Sequence, residues 1–265
     1  MTKKVILITG ASVGIGRACA DHLHHEGWDV VGASRGDVED VGWHVLRMDV
    51  DDDASVAEGV ARTLHERGRL DAVLTCAGWG LAGPVETTPI DDAKAQVETN
   101  FWGVVRVVQA TLPALRSNGA GRLILMSSIG GLLGIPFQAF YSASKFALEG
   151  YGESLAYEIA PFNVAVTLVE PGNYKTDFTA RRRKYNAGGP YATACTKSVS
   201  RMERAEINGA NPHDVAELVE KLLHSSSPPR RVTVGTRGER MGAVRRRLMP
   251  FRLFERRARS RLLGD

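Results

Sequence analysis

The sequence predicts an α/β fold, a doubly wound and mainly parallel sheet of seven strands with helices on both faces. Three observations predict it. Short β-branched runs alternate with longer helical patterns, as a parallel sheet covered on both sides requires. No repeat period or linker interrupts that alternation, so the 265 residues read as one large domain. The first apolar run also passes through a glycine-rich turn straight into a helix, which is where such sheets bind their ligands.

In order, strands are expected at Val5 to Thr9, Asp29 to Ala33, His44 to Arg47, Ala72 to Thr75, Leu123 to Ser127 and Val164 to Glu170, with a seventh at Arg231 to Val234. Helical spacing of apolar residues predicts helices over Ile15 to Glu26, Ala54 to Glu66, Ala93 to Arg116, Tyr141 to Ala160 and Asp214 to His224. Residues 1–236 then form the catalytic domain. Within it, residues 175–210 are too long for a routine connection and are expected to be a lid over a substrate. Residues 237–265 form a basic C-terminal extension.

Composition excludes several classes. With 43% apolar and 24% charged residues the chain is not disordered, and 28 glycines and 11 prolines are too few for a collagen-like or low-complexity protein. No apolar run approaches the roughly 18 residues of a membrane span, and Val5 to Ile8 is shorter than the roughly 7 to 15 of a signal peptide. A cytoplasmic location is therefore expected. Cys19, Cys76 and Cys195 are odd in number and widely spaced, which suggests reduced thiols. His22, His24 and His25 lack the Cys or carboxylate partners of a metal site, so no metal is expected. Residues Arg230 to Asp265 hold twelve arginines against three acids, while the preceding residues are net acidic. That split excludes a uniformly basic nucleic-acid-binding domain.

After the first strand comes Thr9-Gly10-Ala11-Ser12-Val13-Gly14-Ile15-Gly16. A strand-to-helix turn needs residues without Cβ where the backbone bends, approaches a pyrophosphate and packs the helix on the sheet. The helix start offers free N–H groups and a positive dipole end to phosphates. Gly10, Ser12, Gly14, Ile15 and Gly16 are thus candidate dinucleotide contacts. At the end of the second strand, Ser34 is uncharged and Arg35 can form a bidentate pair with a ribose 2′-phosphate, which favours NADP(H). Asp37, 21 residues past Gly16, keeps NAD(H) open. Asp49 and Val50 are candidate adenine contacts, and Asp51, Asp52 and Asp53 read as a helix-start cluster.

Tyr141 and Lys145, in Tyr141-Ser142-Ala143-Ser144-Lys145, share a helix face. A phenol is a poor base at neutral pH, and a nearby ammonium is expected to lower its pKa.

Together these residues resemble the short-chain dehydrogenase/reductase family of the one-domain, Rossmann-like type, over about Lys3 to Val234. The resemblance implies that Tyr141 is the general acid/base and that Ser128, thirteen residues earlier, hydrogen-bonds the substrate oxygen. It assigns Lys145 to the ribose hydroxyls and the tyrosine pKa, and Asn100 to a proton-relay water. Asn100, Tyr141 and Lys145 thereby also belong to the cofactor site. Pro171, Gly172 and Thr176 resemble the family's P-G-x-x-x-T segment beside the nicotinamide. Two departures stand out. Cys76-Ala77-Gly78 takes the place of the family's N-A-G, which implies altered cofactor affinity and not lost activity. Tyr174 replaces a small aliphatic residue, leaving nicotinamide contacts there to its backbone.

Phe140 to Gly150 and the arginine-rich extension look most like members acting on hydroxysteroids, retinoids and related lipophilic alcohols. The expected activity is NADP(H)-dependent interconversion of an alcohol with a ketone or aldehyde, in a homodimer or homotetramer. A 3-oxoacyl reductase whose carrier protein or acyl-CoA meets Arg181 to Lys184 is an alternative, as is a non-enzymatic NADP-binding regulator.

The extension itself places Met241, Val244, Leu248 and Phe251 at helical spacing among Arg240, Arg245, Arg246, Arg247 and Arg252. Pro250 is expected to divide it into two short helices. Its apolar side either covers the cleft or a subunit interface, or lies on an anionic membrane surface.

Overall fold

In the computed structural model, which describes residues 3–185, 188–250, 252–256 and 259, the first apolar run forms β1 (Val5–Thr9). Its side chains alternate between two cores. Val5 and Leu7 join Leu115, Leu148 and Leu155 on one side, while Ile6 and Ile8 join Leu23, Val215 and Val219 on the other. Complete burial of a leucine or isoleucine contributes about 1.5–3 kcal/mol, so strands apolar on both faces are held most firmly at the centre of the sheet.

The chain continues through α1 (Gly14–His25), β2 (Asp29–Ser34), β3 (His44–Arg47), α2 (Asp53–Arg67), β4 (Ala72–Thr75) and the two-residue β5 (Leu81–Ala82). Next come α3 (Ile90–Val97), α4 (Gly103–Ser117), β6 (Gly121–Met126), α5 (Ala139–Glu158) and β7 (Val164–Pro171). The remaining elements are α6 (Phe178–Arg181), β8 (Arg183–Lys184), α7 (Ala192–Ile207), α8 (His213–His224), β9 (Arg231–Val234) and α9 (Arg237–Leu248). Seven strands pair in the order β3-β2-β1-β4-β6-β7-β9, all in parallel. Residues of α2, α4 and α5 cover one face, and those of α1 and α8 cover the other. The sequence marks the helix ends plainly: Asp52 caps α2 by accepting the Ser55 N–H, and Gly68 ends it in the left-handed conformation.

One expectation needs correction. The helix expected from Ala93 to Arg116 is two helices joined by a π-helical turn, Glu98–Trp102, with Asn100 at its middle. Residues 175–210, expected as a lid, carry α6, β8 and the sixteen-residue α7. That excursion is closed at its base, where Ala210 donates to the Asn173 carbonyl and accepts from the Lys175 N–H. Strands β5 and β8 pair in a small second sheet beside it.

A capping box between Thr236 and Glu239 starts α9, and Met249, extended before Pro250, ends it; residues 252–256 are helical again. Glu239 and Ala243 are buried, but Met241, Val244, Leu248 and Leu253 are exposed. Among the described residues the apolar stripe therefore does not cover the cleft, because α9 docks through its small and acidic residues. Phe251 and the Arg247 side chain lie outside the described residues. No helix among the described residues is long and apolar enough to cross a membrane.

Candidate active site

Parallel strands all end on one edge of the sheet, and there the loops after β1, β2, β4, β6 and β7 surround a cavity of about 820 Å³. Gly10, Ser12, Gly14, Ile15 and Gly16 line one part of it. Gly10 and Gly14 have φ of +66° and +60°, which residues with a side chain rarely adopt. A Cβ on Gly10 would also lie 2.7 Å from the Ala77 nitrogen, and one on Gly16 would meet the Gly10 carbonyl. The turn is thus closed against β4 and against its own helix. No side chain caps the start of α1 and its first turn holds no acid. Its N–H groups and dipole face the cavity free for an anion, which fits a dinucleotide pyrophosphate.

Ser34, Arg35 and Val50 form the next section, together with Asp37 and Asp51. Arg35 is two-thirds exposed and its Nη1 lies 4.0 Å from Asp51 Oδ2. Burial raises the Asp51 pKa, opposed by the 2.8 Å hydrogen bond it accepts from Thr99. Asp49, expected against the adenine, does not line the cavity. Its carboxylate accepts the Asp51 N–H at 3.1 Å and its own N–H donates to Ser55 Oγ, which ties it into the turn before α2. Asp51, read as part of a helix-start cluster, stands at the wall instead.

Cys76, Ala77 and Gly78 form the floor. Burial pushes the Cys76 thiol up to about 12, so it is neutral at ordinary pH. With no carboxamide at this position, β4 is joined to β1 through main-chain Cys76 N–H to the Thr9 carbonyl (3.1 Å) and Ala77 N–H to Thr9 Oγ1 (3.3 Å). Pro171, Gly172, Tyr174 and Thr176 close the far side. The Tyr174 phenol is pushed up to about 12, chiefly by burial. Gly172 leaves room for Glu239 of α9, whose Oε1 accepts the Asn173 N–H at 2.8 Å.

Ser128, Tyr141 and Lys145 meet in the same cavity. Ser128 follows β6 and its Oγ accepts the Gly130 N–H at 3.0 Å. Tyr141 and Lys145 lie one turn apart on the buried side of α5, where Lys145 Nζ donates to the Met126 carbonyl at 2.8 Å. Burial lowers the Lys145 pKa to about 8, opposed by Cys76 and Glu149. Burial also raises that of Tyr141, opposed by a hydrogen bond with Ser128 and by the Arg182 charge, while Glu206 pushes it further up. This reverses the expected direction. Lys145 Nζ is 6.0 Å from the Tyr141 ring centroid, and the loss of solvent outweighs the neighbouring charges.

Asn100 also lines the cavity and is fully buried. Its Oδ1 accepts the Trp79 N–H (2.9 Å), and its Nδ2 donates to the Trp79 carbonyl (3.1 Å) and to Ser144 Oγ (3.2 Å). The carboxamide therefore ties the segment after β4 to α5. A relay water would have to meet the Asn100 main chain, in a π turn of the kind frequent at functional sites.

Several wall residues were not anticipated. Ile135, Gln138, Phe178, Met202 and Glu206 complete the cavity beside Tyr141. Gln138 stands immediately before α5, outside its helical spacing. Met202 and Glu206 stand one turn apart on α7, a helix the sequence reading did not contain. The basic run Arg181 to Lys184 is largely satisfied within the fold. Arg182 is buried against Glu206 at 2.5 Å, Arg183 lies over Trp79 and bonds Asp92, and Lys184 pairs with Glu203.

Residues 4–187 match the family model described as short chain dehydrogenase. The chain is 41% identical over 239 residues to a 3-ketodihydrosphingosine reductase of Bacteroides thetaiotaomicron, covering 89% of each protein. It is 34% identical over 258 residues to retinol dehydrogenase 8 of Bos taurus, covering 88% of this chain and 82% of the relative. Among solved structures, a short-chain dehydrogenase from Streptomyces avermitilis superimposes with a TM-score of 0.82 at 29% identity, covering 97% of this chain and 98% of that one.

Proposed function

This chain belongs to the short-chain dehydrogenase/reductase family, and we propose that it is an NADP(H)-dependent enzyme interconverting a lipophilic ketone or aldehyde with its alcohol. The observation that carries this reading is one cavity lined by both the uncapped start of α1 and the Ser128, Tyr141 and Lys145 set. The long-chain ketone named for the Bacteroides relative is brought to this protein as part of the proposal.

Gly10 to Gly16 would hold the pyrophosphate, Arg35 and Ser34 the 2′-phosphate, and Lys145 the ribose beside Tyr141. Pro171, Gly172, Thr176 and the Tyr174 main chain would border the nicotinamide. When bound, the cofactor supplies the hydride for the carbonyl carbon; the protein supplies placement and protons. Ser128 donates a hydrogen bond to the carbonyl oxygen, which is strongest as charge develops there. Tyr141, a phenol protonated at neutral pH and kept so by burial, delivers the proton to that oxygen. Lys145, buried next to it with a pKa of about 8, exchanges a proton near neutrality and restores the phenol. The 3-oxoacyl alternative loses support because Arg182, Arg183 and Lys184 already have acidic partners. Intact Ser128, Tyr141 and Lys145 argue against a purely regulatory role. Exposed Phe146 and Tyr157 on α5 support assembly as a homodimer or homotetramer.

The outward face of α9 supports a peripheral membrane contact. Met241, Val244 and Leu248 are exposed there, flanked by Arg237, Arg240 and Arg245. Glu239 fixes the helix to the loop that borders the cavity, so a bilayer on this face would lie close to the active site. Basic residues near an anionic surface add up to about 1 kcal/mol each.

Tyr141→Phe is expected to lower turnover of a good ketone substrate at least about a hundredfold while NADPH binding stays near wild type. Wild-type turnover by this variant would overturn the acid/base assignment.

Arg35→Ala is expected to weaken NADPH binding about ten- to a hundredfold and NADH binding far less, since only the former carries the 2′-phosphate. Equal losses in a fluorescence titration would transfer the preference to NAD(H) and to Asp37.

For the extension, replacing Met241, Val244 and Leu248 by serine leaves Glu239 in place and is expected to abolish co-sedimentation with vesicles containing anionic lipid. Binding by the wild type should weaken with added salt. Wild-type protein that ignores anionic vesicles at low salt, or a triple variant that binds as well, would contradict the membrane contact.

A further inference from the structure

Beneath the catalytic helix lies a polar layer that the mechanism above does not use. The inward side of α5 is apolar at Leu148, Gly152 and Leu155, yet Glu149 among them is only 6% exposed. The strands under it add more polar groups. Ser127 after β6 and Glu170 near the end of β7 are buried, and Arg231 and Thr233 stand on β9, with Thr233 opposite Glu170 in the sheet register. Burying a carboxylate is costly unless it is paired.

Arg231 supplies the pairing. Its Nε donates to Glu149 Oε2 at 2.9 Å and its Nη2 to Glu153 Oε2 at 2.6 Å, while Glu170 Oε1 lies 3.9 Å from the same Nε. The Thr233 hydroxyl donates to Glu170. Arg231 therefore reaches from Glu149 along α5 to the following turn, on the side away from Lys145.

On its other side Glu149 stands one turn from Lys145, and both are buried on the same helix face. The backbone at Gly131 comes close between them. A Cβ there would lie 3.1 Å from Glu149 Cγ, 3.0 Å from the Lys145 carbonyl oxygen and 2.9 Å from Ser127 Oγ. Ser127 in turn follows Met126, whose carbonyl takes the Lys145 ammonium. Glu149 Oε2 is committed to Arg231, whereas Oε1 is buried with no hydrogen-bond partner among the described residues. In an interior of low dielectric, such a charge acts on its neighbours more strongly than it would in water.

We propose that Glu149 is a positioning residue for the reaction: fixed by Arg231, it acts through Lys145 by holding that side chain in the ammonium form. This rests on the proton-returning role given to Lys145 above. The other titratable groups beside Lys145 carry no charge at neutral pH. Tyr141, on its own helix, is a phenol, and Cys76, from the segment after β4, is a thiol pushed up to about 12. Glu149, which itself faces Arg231, Glu153 and Glu170, is thus the anion that opposes the effect of burial on Lys145. Reduction needs the ammonium to restore the Tyr141 proton, so it slows as pH rises through the Lys145 pKa, and oxidation quickens over the same range. Loss of the carboxylate charge lowers that pKa and carries both limbs to lower pH.

The test follows kcat/KM against pH for reduction of a long-chain 3-ketone with NADPH, and for oxidation of the resulting alcohol with NADP, in the wild type, Glu149→Gln and Glu149→Asp. Glu149→Gln is expected to move both midpoints down by about one unit, and Glu149→Asp, which keeps the charge, to leave them near wild type. Arg231 retains Glu153 and Glu170 in Glu149→Gln, so no cation is stranded. Should that variant still fail to fold, Glu149→Leu combined with Arg231→Leu exchanges the ion pair for apolar side chains. It is expected to move the midpoints the same way, because the cation removed lies farther from Lys145 than the carboxylate. Midpoints that stay in place in a folded variant lacking the carboxylate, even with the rate lowered at every pH, would overturn the proposal and leave the acid/base roles intact. An equal shift in Glu149→Asp would also overturn it, since the charge is kept. A wild type that does not reduce the ketone would overturn the reductase reading together with the proposal.

Discussion

The site depends on a reversal of strand order. The chain moves outward from β1 through β2 to β3, then returns to the other side of β1 to build β4, β6, β7 and β9. The loops that leave β1 and β4 must therefore part in opposite directions, and the sheet edge between them cannot be covered by its own connections. Every strand runs parallel, so every loop that could carry a ligand ends on that edge. The glycine turn, the Cys76 floor, Ser128 and the Pro171 segment converge because of topology, although they are far apart in sequence.

The cost of such a cavity is polar groups withdrawn from water. Burial acts in opposite directions on Tyr141, whose phenol it raises, and on Lys145, whose ammonium it brings down to about 8. Starting from nearly equal ordinary values, the two are thereby moved apart, which holds the phenol in its protonated form and lets Lys145 exchange a proton closer to neutrality. The remaining charges near them are paired. Arg182 and Glu206 join α7 to the segment after α6, and removal of either would leave a buried charge at a cost of about 3–5 kcal/mol. That pair therefore holds α7 beside Tyr141.

Much of this was legible in the sequence, for physical reasons that can be named. Parallel strands buried on both faces must read as continuous apolar runs, as β1, β4, β6 and β7 do, while the edge strands β3 and β9 were visible only as short β-branched or mixed runs. The glycine turn was visible because sterics allow few other residues at Gly10 and Gly16, and Tyr141 with Lys145 because a helical turn fixes their spacing. What was missed depended on tertiary partners. Helix α7 has few fully buried residues, and its helical spacing of Ala192, Cys195, Val199 and Met202 lay within a segment read only as a lid, so Met202 and Glu206 went unnoticed on the cavity wall. Local sequence could not choose between Asp49 and Asp51, since Ser55 and Thr99 decide which is tied into the turn and which faces the cleft. The stripe on α9 was recognised, but its outward orientation follows from Glu239 reaching Asn173, a contact across 66 residues.

The central claim is that one cavity holds a nicotinamide and a carbonyl close enough for direct hydride transfer, with Tyr141 supplying the proton. Reduction of a ketone substrate with NADPH carrying deuterium at both positions of its reactive carbon, in ordinary water, tests it most directly. Mass spectrometry should find one deuterium on the carbinol carbon of the product alcohol, and the same reaction with unlabelled NADPH in heavy water should place none there. A carbinol carbon that takes its new hydrogen from water, or an alcohol formed without label from the cofactor, would contradict the account.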